Sequence, residues 1–449
     1  MSERFDVIVI GAGPGGEVAA DRLHRAGMRV VVVERELIGG ECAYWACIPS
    51  KTLIRQAEVV AEASHVAGVA TPAINWEQVA AYRDDMIRHL DDSKQVQGYA
   101  DQGITFIRGE AHLAGPGRVE VAGRLLEAPH VVVATGSDPR IPPIEGLSEA
   151  GYWTNREATT LSRVPESIVI LGGSAQGIEL GQMLCRYGAQ VTIVQLATHL
   201  LDREEPEVSA LLADLLRAEG VNLHLGREAV RVARDEDGMR VVHLDDGTEV
   251  RGQELLVATG RTPRIGGLHL EVVGATVTKR GILVDNYCRA APGLWAVGDV
   301  TGVALFTHVA KYQARIAADD ILGRRHPVNY HAIPRVVFSD PQVGATGLTT
   351  AQAREQGVEV TMASVDPYEA IARPVTYGKD IGGRLGLVAD RKRGILVGAW
   401  AVGPEAGEWI HLAVLAIRAA TPIPVLRDVI EQFPTFSEAY LSGLEMLVV

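Results

Sequence analysis

Residues 4–34 read RFDVIVIGAGPGGEVAADRLHRAGMRVVVVE. An apolar run, RFDVIVI, ends at Gly11-Ala12-Gly13-Pro14-Gly15-Gly16. A helical pattern covers 17–26, and a second apolar run, 29–33, stops at Glu34. Strand, tight turn, helix and strand within about 30 residues is the setting in which G-x-G-x-x-G binds a dinucleotide. Gly11 permits the turn, Gly13 lets a pyrophosphate approach the backbone, and Gly16 lets the helix pack on the strand. The phosphate then meets the positive end of the helix dipole. Glu34, about 20 residues on, is placed to accept hydrogen bonds from a ribose.

The pattern recurs. An apolar strand at 167–171 runs into Gly172-Gly173-Ser174-Ala175-Gln176-Gly177, followed by a helix at 178–187 and a strand at 190–194. Two such units imply two nucleotide sites. The second copy is degraded: Gly172 and Gly177 match, but Ser174 holds the middle position and Gln195 the strand end. The Ser174 side chain narrows the approach, although its hydroxyl can donate to phosphate. A carboxylate at 195 would favour a ribose 2′-OH and repel a 2′-phosphate; Gln195 does neither strongly, which leaves NAD and NADP open. VVVATGSDPRIPP (131–143) and LLVATGRTPR (255–264) form another repeated pair, each able to close a nucleotide-binding domain. GLWAVGDVTG (293–302) ends a further strand at Asp299 and leads to a helix at 309–322. From about 331 onward VVF, TMASVDP and ILVGAWAVG read as antiparallel strands, followed by helices at 408–420 and 424–432. This α+β part has no phosphate turn and is expected to pack on the other domains or on a second subunit.

The bulk numbers agree. A chain of 449 residues suits about two to four domains. With 47% hydrophobic and 22% charged residues it reads as globular with large cores. A net charge of −13 argues against nucleic acid or an anionic membrane as main partner. The N-terminus lacks the basic and apolar regions of a signal peptide, and no apolar run is long enough to span a bilayer. A cytoplasmic location is expected, where a close cysteine pair is more often catalytic or metal-binding than structural.

That pair lies in GGECAYWACIPSK (39–51), with Cys42 and Cys47 flanking Tyr44 and Trp45. In a regular helix, residues five apart stand about 7.5 Å apart along the axis and point in different directions. A bridge between them needs Cα atoms within about 7 Å and therefore an irregular turn. Gly39-Gly40 permits one, and Pro49 suits the first turn of a following helix. A thiolate at a helix N-terminus is the reactive form. Zinc usually takes four ligands from tighter pairs, and no second pair or nearby histidine stands in the sequence. The residues thus favour a redox pair, with core thiols and metal ligands as alternatives. Cys185 and Cys288 have no partner in sequence and receive no role.

GAGPGG, GGECxxxxCIPSK, ATGSDPRIPP, a second nucleotide fold, ATGR and AVGDV, in that order, resemble the class I pyridine nucleotide–disulfide oxidoreductases. These include dihydrolipoamide dehydrogenase, glutathione reductase and mercuric reductase. The resemblance covers essentially the whole chain. It implies an α/β fold with two Rossmann-like domains and a C-terminal α+β dimerisation domain: FAD-binding at 1–148 and 273–330, NAD(P)-binding at 149–272, and interface at 331–449. It implies FAD and NADH or NADPH as cofactors, a homodimer, a small-molecule electron acceptor, and hydride flow from nicotinamide to flavin to disulfide. By motif, Gly11, Gly13, Gly16, Glu34, Gly40, Ala111, Thr135, Gly136, Asp299 and Thr307 are implied at the flavin nucleotide, Asp299 holding its ribityl chain. Gly172, Ser174, Gly177, Gln195 and Gly260 are implied at the nicotinamide nucleotide. Cys47 is implied as the thiol against the flavin and Cys42 as the exchange thiol. Lys51 and Glu179 resemble the ion pair near the flavin's reactive nitrogen.

Two departures stand out. The family's disulfide reductases usually end in His-Pro-Thr-x-Ser-Glu, contributed to the partner subunit's active site. Here Phe433-Pro434-Thr435-Phe436-Ser437-Glu438 keeps the glutamate and loses the imidazole. A general acid/base of that kind is worth about 10²–10⁴-fold, and Phe433 cannot shuttle a proton. His308 and His411 are candidate replacements. The second departure is Tyr44-Trp45 where the family often has Leu-Asn-x-Gly; bulk there either shapes the acceptor pocket or packs against the flavin domain. Three readings follow. The first is an FAD-dependent oxidoreductase passing electrons through Cys42–Cys47 to a quinone, metal ion or specialised disulfide. The second is dihydrolipoamide dehydrogenase with a relocated base. The third is a flavin-binding redox sensor or assembly protein.

Overall fold

The computed structural model describes residues 3–378 and 383–449. They form two compact units. The first gathers the chain up to Thr52 with Ala81–Arg140 and Gly260–Val328; the second gathers Leu53–Ala80, Ile141–Thr259 and Asn329–Val449.

The first unit is built on a six-stranded sheet in the order Arg289–Ala291, Leu294–Ala296, His130–Val133, Val7–Ile10, Val30–Glu34, Thr105–Arg108. All but the first edge pairing are parallel. A parallel sheet is covered on both faces, so its strands read as continuous apolar runs. Successive side chains alternate between the two covers. Val7, Val9, Val30 and Val32 pack with Ala19, Leu23 and Ala317 of the helices. Ile8, Ile10, Val31 and Val33 pack with Leu113, Val119 and Leu126 of a small four-stranded sheet. The helix expected from 17 spans Pro14–Arg25, with proline in its first turn, where the missing N–H costs nothing. Gly298-Asp299 leads through a short 3₁₀ turn into the Thr307–Ile321 helix.

The second unit repeats the device. Asn222–Leu225, Gln190–Gln195, Ser167–Leu171 and Glu254–Val257 form a parallel sheet in that order, and the Ala175–Arg186 helix follows its phosphate turn. Ile168, Ile170 and Ile193 face one core, Val169, Leu171 and Val194 another. Its C-terminal part is a five-stranded antiparallel sheet that contains the three expected strands, at Pro334–Val337, Val360–Val365 and Ile395–Gly403. The helix expected at 408–420 appears as Ala406–Trp409 and His411–Arg418. The one expected at 424–432 is only Ile423–Arg427, where Arg427 donates to the Leu444 and Leu447 carbonyls.

Residues 53–80 and 141–148, expected in the FAD-binding part, cluster with the second unit. Residues 260–272, assigned by motif to the second nucleotide domain, cluster with the first unit. The two ATG repeats explain it, because their continuations pair with each other. Arg261–Pro263 runs antiparallel to Ser137–Pro139, with Thr262 opposite Asp138.

Candidate active site

The glycines of the first unit have distinct duties. Gly11 has φ +101°, and a Cβ there would lie 2.4 Å from the Ala134 carbonyl oxygen. A Cβ on Gly16 would lie 1.9 Å from the Gly11 carbonyl oxygen. A Cβ on Gly13 would meet nothing within 4 Å. Two glycines therefore let backbone touch backbone, and the third keeps an open face at the start of the Pro14–Arg25 helix. No side chain caps that helix. Uncapped first-turn amides beside an open glycine fit a pyrophosphate. Glu34 Oε2 accepts the Ala12 N–H at 2.7 Å and Oε1 that of Glu36 at 2.7 Å, which fixes the carboxylate at the turn. Gly11, Glu34, Ala111, Thr135 and Arg264 line one cleft beside it. Gly40 closes on Gly13: a Cβ there would lie 3.0 Å from the Gly13 Cα.

The second unit copies this geometry. Gly172 has φ +114° and faces the Ala258 carbonyl; a Cβ on Gly177 would lie 2.0 Å from the Gly172 carbonyl oxygen. Gln195 Oε1 accepts the Gly173 N–H at 2.8 Å, as Glu34 accepts that of Ala12. Ser174 turns its hydroxyl into its own fold, donating to the Ala258 carbonyl at 2.9 Å and accepting from the Gly177 N–H at 3.4 Å. It is the N-cap of the helix. Gly260, expected at this nucleotide, lies in the first unit and accepts the Arg140 N–H at 2.9 Å.

The cysteine pair sits in the first unit. Gly39 and Gly40 have φ +115° and +57°, the irregular turn the spacing demanded. Cys42 lies on a one-turn helix, Gly40–Tyr44, which breaks at Trp45; Cys47 opens the next helix, Cys47–His65. The break brings the sulfurs into hydrogen-bonding contact. That bond, the Thr307 hydroxyl and the Lys51 charge hold the Cys47 thiol down to about 6, against burial. Cys42 moves the other way, pushed up by its bond to Cys47 and by burial. Of the two sulfurs, Cys47 is the one that ionises first.

Tyr44 corrects an expectation. Of the two alternatives for the aromatic pair, an acceptor pocket or packing, its side chain takes the second: it is fully buried. Its hydroxyl accepts from Arg88 at 3.2 Å, and the guanidinium stands over its ring. Tyr44 is core packing, and Trp45, partly exposed, is the aromatic left at the surface of the loop.

Around Asp299 the structure assembles residues the sequence reading missed. Asp299 Oδ2 accepts from the Ser137 hydroxyl at 2.6 Å, and Arg261 donates to Ser137 Oγ at 2.7 Å. Arg264 is paired with Asp138, and Glu41 lies 3.9 Å from Arg261 and 3.8 Å from Arg264. Burial raises the Asp299 carboxyl above the usual range, against the Ser137 bond and Arg261. Thr135 Oγ1 and the Gly136 carbonyl are taken by the Arg264 backbone. Only the repeated ATG motif hinted at this, since pairing of its two copies creates the cluster.

Lys51 belongs to the first unit and Glu179 to the second, where Glu179 is buried and accepts the Phe338 N–H at 2.9 Å. Phe433, Glu438 and His411 are also in the second unit. Glu438 accepts the Thr435 N–H at 2.9 Å and completes a capping box; Phe433 is 65% exposed. His308 stacks on Phe306 beside Thr307. No helix among the described residues is long and apolar enough to cross a membrane.

Residues 5–314 match the family model for pyridine nucleotide-disulphide oxidoreductases, and residues 333–442 match the dimerisation domain of the same family. The chain belongs to this family. Its members are FAD-dependent oxidoreductases that use NAD(P)H, and the second match supports a homodimer. Among curated proteins the chain is 33% identical to a dihydrolipoyl dehydrogenase of Thermus scotoductus, covering 99% of this chain and 97% of that one. It is 34% identical to a mercuric reductase of Streptomyces lividans, over 97% and 94%. Among solved structures it resembles the Cu(II) complex of the HOCl-induced flavoprotein disulfide reductase RclA of Escherichia coli. That match has TM-score 0.87 at 28% identity, over 99% and 100% of the chains. LpdA of Mycobacterium tuberculosis gives TM-score 0.88 at 25% identity, over 99% of each.

Proposed function

We propose that this oxidoreductase passes electrons from NAD(P)H through FAD to the Cys42–Cys47 pair, and from Cys42 to an acceptor that needs no imidazole from the chain's C-terminal motif. Bound FAD supplies the two-electron relay between nicotinamide and cysteines. Gly11, Gly13, Gly16, Glu34, Gly40 and Ala111 would hold its nucleotide, and Asp299, set by Ser137 and Arg261, its ribityl chain. Gly172, Gly177 and Gln195 would hold the nicotinamide nucleotide. Cys47 carries the thiolate of the reduced pair; Cys42 keeps the shared proton until the acceptor arrives.

The observation that carries this reading is Phe433 in FPTFSE, at the position where the motif resemblance implies the histidine that the family's disulfide reductases usually carry. Glu438 caps its own helical turn, a duty that needs no imidazole. Soft metal ions and specialised disulfides are the acceptors that suit a dithiol without a proton shuttle, and a quinone could take electrons from the flavin. Likeness to mercuric reductases and to a Cu(II)-bound reductase favours the metal ion within this group. The second reading, dihydrolipoyl dehydrogenase with its base elsewhere, is favoured by likeness to the Thermus scotoductus enzyme.

An anaerobic acceptor screen with both nicotinamides decides between them. Lipoamide, low-molecular-weight disulfides, quinones, Hg(II), Cu(II) and oxygen are compared in the unmodified protein and in Phe433→His. The proposal expects slow lipoamide turnover that rises about tenfold or more in Phe433→His, with metal-ion turnover unchanged. Lipoamide turnover in the unmodified protein at the rate of a dihydrolipoyl dehydrogenase sinks it. Flavin that neither NADH nor NADPH reduces would leave the redox-sensor reading.

A further inference from the structure

Gly39-Gly40 permits the turn ahead of the cysteines but does not hold it, because a glycine backbone leaves a left-handed conformation as readily as it enters one. When the bond between Cys42 and Cys47 is open, only packing and hydrogen bonds keep the two sulfurs in reach of each other.

One segment of the first unit grips this stretch at two points. Ahead of the turn, Asp92 Oδ2 accepts the Ile38 N–H at 2.8 Å and a guanidinium N–H of Arg108 at 2.6 Å; Asp92 and Ile38 are both buried. Past the turn, Arg88 donates to the Tyr44 hydroxyl at 3.2 Å, and its guanidinium carbon lies 5.8 Å from the centre of the ring. Tyr44 ends the one-turn helix that carries Cys42. The two grips therefore bracket Gly39, Gly40 and Cys42.

The gripping segment is itself strained. Arg88, His89 and Leu90 have φ +54°, +50° and +58°. L residues enter this region singly, and three in succession carry a steric cost at each position. No glycine stands there to ease it. All three residues are exposed, so burial of their own side chains does not offset that cost. Buried Ile87 and Asp92 fix the two ends, and the left-handed turn between them carries Arg88 to the buried Tyr44. Arg88 is faced by Tyr44 and by Glu17.

We propose that Arg88 is a positioning residue of the dithiol: through Tyr44 it holds the Gly40–Tyr44 helix and so keeps the Cys42 sulfur against Cys47 when the bond between them is open. Tyr44 then has a duty beyond filling the core. The assignment rests on the redox-pair reading above.

The test uses FAD-loaded protein reduced anaerobically with dithionite. Two electrons and one proton convert the Cys42–Cys47 bond into a thiolate at Cys47 and a thiol at Cys42. A thiolate at Cys47 beside oxidised flavin gives a long-wavelength charge-transfer band, whose loss on acidification reports the Cys47 midpoint. Cys47 is faced by Cys42, Thr307 and Lys51, and the bond from Cys42 is the contact that Arg88 secures. Weakening that bond raises the midpoint. Two variants are compared with the parent: Arg88→Asn, whose side chain tolerates the left-handed turn, and Tyr44→Phe, which keeps the ring and every charge. Both are expected to raise the midpoint by about half a pH unit or more. Should Arg88→Asn fail to fold, Arg88→Gln is read by the same criterion. An unshifted midpoint in both variants overturns the role of Arg88 and leaves the redox pair standing. A shift in one of the two alone means that guanidinium and hydroxyl act separately, and overturns it as well. A parent protein without the band at any pH overturns the redox-pair reading and this proposal with it.

Discussion

The Cys47 sulfur lies 3.5 Å from the Thr307 hydroxyl, a contact between the start of one helix and the start of another 260 residues later in the chain. Together with the bond from Cys42 it makes Cys47 the acidic member of the pair, and the two sulfurs titrate as one coupled unit. The thiolate persists as pH falls toward about 6 and is protonated below that. Thr307→Val removes one hydrogen bond to the charged form. The first thiol titration, followed by ultraviolet thiolate absorbance of the reduced protein, should move up by about half to one pH unit. An unchanged titration would remove Thr307 from the site.

Gln195 occupies the place that Glu34 holds in the other nucleotide fold, with the same kind of bond to the glycine-rich turn. Its carboxamide is neutral, so it does not repel a 2′-phosphate as a carboxylate would. Gln195→Glu should raise KM for NADPH about tenfold relative to NADH, roughly 1.4 kcal/mol of discrimination. Equal shifts for the two nucleotides would place the 2′ position elsewhere.

Gly13 and Gly16 separate binding from folding. A methyl group at 13 meets open space, whereas one at 16 would collide with the Gly11 carbonyl. Gly13→Ala should stay within about 1 kcal/mol of the parent in unfolding experiments on the apoprotein and yet purify with less FAD. Gly16→Ala should lose about 3 kcal/mol or more, or fail to fold. Full FAD content in Gly13→Ala would show that the pyrophosphate does not cross that face.

Asp299 is a buried carboxyl whose ionised form is disfavoured by burial. Its proton is held more tightly in the folded than in the unfolded chain. That contribution to stability is fully present below the unfolded pKa and is lost as pH rises through the folded one. Asp299→Asn should therefore stabilise the apoprotein at neutral pH by on the order of 1 kcal/mol, an advantage that fades in acid, while weakening FAD retention. Thermal unfolding at two pH values and FAD content measure the two effects. A destabilised variant at neutral pH would mean that the Arg261 attraction outweighs burial.

The nucleotide folds were legible because their signals are local. Val7–Ile10 and Ser167–Leu171 announce themselves as buried parallel strands, and the glycines at 11, 16, 172 and 177 stand where backbone must touch backbone. The cysteine pair was legible for the same reason: Gly39-Gly40 and the helix from Cys47 belong to one short stretch. Tyr44 was ambiguous, since an aromatic in a loop has the same local sequence whether it lines a pocket or fills a core; burial beneath Arg88 settled it.

Sequence by itself determined the two glycine-rich turns, the close spacing of Cys42 and Cys47, the order of the elements and the phenylalanine at 433. Tertiary structure alone decided which sulfur is acidic, that Gln195 holds the Gly173 amide as Glu34 holds that of Ala12, and that the two ATG repeats pair to surround Asp299 with Ser137 and Arg261. Those outcomes depend on distances between residues far apart in the chain. A hydrogen bond or a desolvated charge is set by where side chains meet, and spacing along the sequence carries no record of that meeting.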